Sequence, residues 1–163
     1  MKKLFLLLFS LMVISCNDDD VAPVVTPPFV PVVIDPILIA KRNDNGPVEG
    51  ISMENFIIND NSSWINIKNL MDAPYIAIGL GNYYTENHFS ETTLDFTNYT
   101  VIAIFDRGYS NGGHSIDITN ITEFETTIIV TVENLQTGNT SSVGTQPYHI
   151  VKIPKATKPI VFE

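Results

Sequence analysis

The chain has little with which to crosslink itself or to grip a polyanion. Its 163 residues contain one cysteine, Cys16, so no intrachain disulfide framework exists. Lys and Arg number nine against 18 Asp and Glu, a formal net charge of −9. Nucleic-acid binding needs clustered cations to displace counterions, so no nucleic-acid partner is expected. The same balance argues against attachment of the folded part to anionic lipid. The three histidines, His88, His114 and His149, include no i, i+4 pair, and no zinc-type signature is present. No metal or dissociable cofactor is therefore expected. One apolar run stands out, residues 4–14, and it falls short of the ~20 residues that a membrane-spanning helix requires.

That run has the parts of a cleaved export signal. Lys2 and Lys3 precede it, and it ends at Val13-Ile14-Ser15-Cys16. This tetrapeptide resembles the lipobox of bacterial lipoproteins. The resemblance implies cleavage between Ser15 and Cys16, a diacylglyceryl thioether on the Cys16 sulfur and N-acylation of the new amine. Residues 1–15 are then a signal peptide, and the covalent lipid on Cys16 is the membrane anchor. At ~0.8 kcal/mol per buried CH2, such acyl chains hold a protein to a bilayer lastingly.

Asn17-Asp18-Asp19-Asp20 follows at once. An acidic run is solvated and repelled by anionic head groups. It also resembles the short acidic signal by which some Gram-negative lineages send lipoproteins to the cell surface. The expected location is the outer membrane, lipid-anchored, with the domain facing outward. Pro23, Pro27, Pro28, Pro31 and Pro36 disfavour helix and favour an extended chain. Residues 16–36 thus read as the lipidated cysteine plus an acidic, proline-rich tether. Val24, Val25 and residues 29–34 are greasier than a free linker needs, so part of this stretch is expected to lie on the domain or on a partner.

Residues 37–163 read as one α+β, mostly β domain, expected to be an antiparallel meander with one short helix against it. Strands are predicted at 37–40, 52–58, 99–105, 115–121, 127–135 and 147–153, with 160–162 closing an edge. The segment 43–47, Asn-Asp-Asn-Gly-Pro, is a cluster of turn formers. Asp60, Asn61, Ser62 and Ser63 offer N-caps to a helix carrying Trp64, Ile67, Lys68 and Met71, although Trp64 to Lys68 also fits an alternating strand. Residues 79–89 show no period and read as a polar, aromatic loop.

Gly108-Tyr109-Ser110-Asn111-Gly112 satisfies the G-x-S-x-G pattern of a hydrolase nucleophile elbow, and Asp117 and His149 follow in triad order. That motif works only where a strand turns into a helix over an oxyanion hole. Residues 113–121 are β-patterned instead, so no catalytic residues are assigned and no enzyme is expected. Residues 41–46 resemble a calcium loop but carry Lys41 where the first ligand belongs.

Leu94-Asp95-Phe96, the apolar strand 101–105, then Gly108 and Asn111-Gly112-Gly113-His114-Ser115-Ile116 together resemble the carboxy-terminal domain of PrcB-like proteins. The run 146–154 is similar to the last strand of that family, and the likeness is clearest over residues 100–154. It implies a lipoprotein that associates with a surface protease complex and supports its stability. His114 stands where the family usually carries an aromatic such as Tyr.

The residues themselves agree with a binding module. Arg107, Tyr109, Asn111, Gly112, Gly113 and His114 form the candidate partner-binding loop, since Arg and Tyr are frequent interface anchors. The plainer reading is that Gly112-Gly113 makes a hairpin turn with Tyr109 packed locally. A protein partner, a protease first among them, is the leading expectation. Protease inhibition, or a carbohydrate-binding or structural envelope module built on Tyr83, Tyr84 and Phe89, are the alternatives.

Overall fold

The fold is organised around the one strand whose residues leave no room for a solvent face. In a computed structural model that describes residues 27–42 and 51–163, β4 (Tyr99–Phe105) is buried from Thr100 onward. Its side chains alternate between two cores. Val101, Ala103 and Phe105 pack toward one, and Ile102 and Ile104 toward the other. A strand with two apolar faces must be covered on both sides, and the remaining elements supply the covers.

Along the chain these are β1 (Val32–Val33), β2 (Ile37–Arg42), β3 (Glu54–Ile58), α1 (Asn61–Ile76), α2 (Tyr83–His88), β4, β5 (Asp117–Glu123), β6 (Ile128–Glu133), β7 (Tyr148–Pro154) and β8 (Ile160–Phe162). The central sheet has the order β2-β7-β4-β3, all antiparallel. The two helices cover one face, through Trp64, Ile67, Met71 and Tyr84. The second sheet, β1-β5-β6-β8, covers the other through Ile118, Ile121, Ile128 and Val130. The α+β, mostly β class holds, arranged as helices, sheet, sheet.

The simple meander does not hold. β4 pairs with β7 rather than with β5, and β8 joins β6 in parallel. The reason lies in polarity. β7 matches β4 with residues buried along most of its length, whereas the β5–β6 hairpin exposes Thr119 and Asn120 and suits an outer sheet. The single short helix is also corrected, because α1 has 16 residues and α2 forms inside the stretch read as a loop.

Helix α1 starts where its cap allows. Asp60 Oδ1 accepts from the Ser63 amide at 2.8 Å, and Oδ2 accepts from the Ser63 hydroxyl at 2.7 Å. Trp64, Ile67 and Met71 then face the sheet, and the Trp64 indole N–H donates to the Thr92 carbonyl at 3.0 Å. Helix α2 is fixed from outside itself. Buried Asp72 on α1 accepts from the Thr85 amide at 3.0 Å and the Thr85 hydroxyl at 2.6 Å.

Residues 1–26 lie outside the described residues, including the signal, Ser15, Cys16 and the acidic run; so does the turn cluster at 43–47. The described end of the proline-rich stretch sits on the domain. Val32 and Val33 pair with Glu123 and Thr122 of β5, and the Ile34 amide donates to the Ile121 carbonyl at 2.8 Å. Ile34 adds its side chain to the core between the sheets, and Lys158 lies 4.5 Å from the Phe29 ring centre.

Candidate functional site

The candidate loop emerges from the buried end of β4 and is anchored there by a carboxylate. Asp106 is 6% exposed, and such a charge must be matched by donors. Its Oδ1 accepts from the Arg107 amide at 2.8 Å. Its Oδ2 accepts from the Tyr109 hydroxyl at 2.8 Å and from Asn134 Nδ2 at 2.9 Å. The same Asn134 amide donates to the Ser115 carbonyl at 2.8 Å, tying both ends of the loop to the segment that follows β6. Burial raises the Tyr109 phenol above its ordinary pKa, so it stays a neutral donor to Asp106.

Tyr109 also forms a two-bond antiparallel bridge with Thr145, at 2.8 and 3.2 Å. Its ring stacks on His114 with centroids 3.6 Å apart and planes 6° from parallel. The Arg107 guanidinium carbon lies 4.8 Å from the Tyr109 ring centre. The result is a three-layer stack of guanidinium, phenol and imidazole.

The loop 107–116 and the segment 136–145 zip together at this end. The Gly138 amide donates to the Gly113 carbonyl at 3.0 Å, and the Asn139 amide to the Gly112 carbonyl at 2.8 Å. Two glycines make this approach possible. Gly113 (φ +73) and Gly138 (φ +108) are both left-handed, and a Cβ on either would lie 2.5 Å from a side chain of the other segment, Asn139 or His114. His114 Nε2–H donates to Asn111 Oδ1 at 3.1 Å, and Asn111 Nδ2 donates to the Asn139 carbonyl at 3.0 Å.

Of the six candidate residues, Arg107, Tyr109 and His114 meet around one open depression of about 290 Å3. Asn134, Gln136 and Thr137 complete its lining, and the sequence reading did not single these out. They belong to a polar strand exit with no motif, and pairing across the chain brings them here: Asn134 with Asp106 and Ser115, Gln136 with Ser115, and Thr137 with His114. Asn111, Gly112 and Gly113 instead build the junction between the two segments. Gly112-Gly113 therefore does more than turn a hairpin: it docks against a segment distant in sequence.

The hydrolase pattern does not assemble. Ser110 is exposed on the loop, and the chain after it runs into β5. Asp117 binds Lys41, accepts from the Ser115 hydroxyl at 2.5 Å and from the Leu135 amide at 3.3 Å. His149 Nδ1 accepts from the Ile118 amide at 2.9 Å. Neither is bonded to Ser110. Burial, with Lys41 nearby, pushes His149 down to about 4 despite the opposing Asp117 charge, so it is a neutral acceptor between the sheets. Burial works against the Asp117 carboxylate, but Lys41 and Ser115 outweigh it and hold its pKa below the usual range.

The aromatic set considered for carbohydrate also separates. Tyr84 is 1% exposed, with its hydroxyl between Arg42 and Tyr148, and Phe89 packs on Trp64, leaving Tyr83 outside. Another depression of about 280 Å3 lies between β3 and α1, lined by residues such as Phe56, Ile67 and Leu70 and by no charged side chain. Among the described residues no cluster of His, Cys, Asp and Glu is placed to hold a metal, and no helix is long and apolar enough to cross a membrane.

Comparison with protein-family models, with curated proteins and with solved structures gave no match.

Proposed function

We infer that the chain is a lipid-anchored cell-envelope protein whose β-rich domain binds a protein partner, with an extracellular protease complex the first to test. The Arg107–Tyr109–His114 stack is the observation that carries this reading. It presents one charged and two aromatic groups, the chemistry frequent at interface hot spots, already held in position before any partner arrives. Asp106, Asn134 and the Gly113–Gly138 contact fix that surface to the end of a fully packed sheet. The lipobox-like Val13-Ile14-Ser15-Cys16, the acidic run after it and the resemblance to PrcB-like domains support an outer-membrane, surface-facing location and a protease as partner.

The test is photo-crosslinking in intact envelopes from a benzoylphenylalanine at exposed Ser110, with Glu125 at the far end of the β5–β6 hairpin as control. A discrete adduct from 110 alone, lost on Tyr109→Ala and containing a protease, is the expected result. Adducts indistinguishable between the two positions, or none from 110, would contradict the reading.

A further inference from the structure

The chain has seven basic residues outside its leader, and the structure accounts for the use of each. Lys41 is paired with Asp117, Lys152 with Glu91 at 2.5 Å and Lys158 with Glu123 at 2.7 Å. Lys68 donates to the Thr92 carbonyl at 2.8 Å, Lys155 to Asn59 Oδ1 at 3.1 Å, and buried Arg42 to the Tyr84 hydroxyl at 3.0 Å. Arg107 is in no salt bridge among the described residues; its guanidinium is exposed, and its contact is with the Tyr109 side chain, 4.8 Å from the ring centre. The neighbouring acid, Asp106, has turned both carboxylate oxygens to the Arg107 amide, Tyr109 and Asn134, so it does not neutralise that guanidinium by a direct pair.

Two further donors line the same depression without an internal side-chain hydrogen bond, the Gln136 amide and the Thr137 hydroxyl. A guanidinium fork, an amide N–H and a hydroxyl around one hollow form a donor set, and the matching ligand is a planar acceptor of negative charge. Beside it, sharing Asn134, is a second hollow of about 260 Å3 whose lining joins the apolar Met53, Phe105, Ile116 and Val132 to the carboxylates Glu54 and Asp106; its apolar side can take an aliphatic side chain, and its acids disfavour a second carboxylate there. We propose that the Arg107 cleft recognises a carboxylate on the protein partner, with an adjacent aliphatic residue of that partner in the second hollow. This rests on the protein-partner reading above and names the chemistry it uses. An unpaired cation on a surface of net negative charge makes the recognition local rather than a matter of overall attraction.

The experiment is a titration of the isotope-labelled full chain in detergent, following the Arg107 Nε–H and Gln136 side-chain amide resonances. Three probes are used: N-acetyl-valyl-leucine as the free acid, the same dipeptide as its amide, and N-acetyl-valyl-glutamyl-leucine amide. The expected result is that at least one acid-bearing probe shifts both resonances, with affinity about tenfold or more above that of the neutral amide. Shifts at Gln136 disappear in Arg107→Gln and persist in part in Arg107→Lys, which keeps the charge but loses the fork. Response to the free acid alone assigns a chain terminus, and response to the glutamyl probe alone assigns a side chain.

Equal response to acid and amide probes, no response to any, or a response that survives Arg107→Gln would overturn the inference. The two readings separate cleanly. A crosslinked partner without carboxylate-specific shifts leaves the partner and removes this site chemistry. Carboxylate-specific shifts without any adduct from position 110 do the reverse.

Discussion

The helix-covered face of the central sheet and the loop end of the same sheet are held together by different physics. On the first, Trp64, Met71, Tyr84 and Phe105 are essentially without solvent contact, and cohesion comes mainly from apolar burial. At the second, order comes from directed bonds: three donors on Asp106, a ring stack on Tyr109 and two glycines that let distant segments touch. Apolar burial is non-directional and is fully used by the fold itself. Directed bonding fixes a surface while leaving some groups, Arg107 and Gln136 among them, free for something else. On the proposed reading the molecule keeps its stability in one region and its binding chemistry in another, and each can be perturbed alone.

The largest effect is expected on the helix-covered face. Trp64→Ala removes the largest fully buried side chain and an indole bond to Thr92, at a cost of about 3–5 kcal/mol by denaturant unfolding. Against a total of about 5–15 kcal/mol for a domain that loss is a large share, so the unfolding midpoint should fall sharply.

Acid comes next, and it acts between the two sheets. His149 has a folded pKa of about 4 against 6.5 unfolded, so the unfolded chain takes up the proton first. Stability is then fully present above about pH 6.5, declines as pH falls toward 4, and loses on the order of 3 kcal/mol in that window. Asp117, whose folded pKa is lowered, adds a further loss as pH falls below the ordinary aspartate value of 3.8. His149→Gln, which keeps a side-chain acceptor for the Ile118 amide without a titrating ring, should flatten the curve between pH 6.5 and 4. An unchanged slope would show that His149 is not the sensor.

A smaller effect is expected at the loop junction. Gly138→Ala sets a Cβ in left-handed backbone against the His114 ring, for about 1–3 kcal/mol. Its sharper signature is local: the Tyr109–His114 stack should open, with faster amide exchange at Gly138 and Asn139 while β4 and β7 stay protected. Arg107→Ala should move the unfolding midpoint least, because its guanidinium is exposed. It should nevertheless remove binding.

How much of this was legible in the sequence follows from the same contrast. The strand Tyr99–Phe105 and the helix carrying Trp64, Ile67 and Met71 announce themselves by local apolar pattern, and both are found where the pattern puts them. Helix α2 was missed because only Tyr84 and Thr85 of its six residues are buried, too few to set a period, and its anchor, Asp72, lies on another helix. The meander failed because nothing local tells β4 to choose β7 over β5. At the site, Arg107, Tyr109 and His114 were found by residue type and loop position. Asn134, Gln136 and Thr137 were not, since their role exists only through pairing across about twenty residues of chain. Residues 29–34, too greasy for a free linker and expected in part on the domain, do lie there, with Val32–Val33 pairing with β5; the strand that receives them was not legible, because β5 lies far along the chain.

The separation of binding from stability is tested most directly by Arg107→Ala in the chain that carries the photo-crosslinker at Ser110, with unfolding and crosslinking measured on the same preparation. The account predicts an unfolding midpoint indistinguishable from that of the parent and loss of the discrete adduct. An adduct that persists at full yield in the folded Arg107→Ala protein would contradict it.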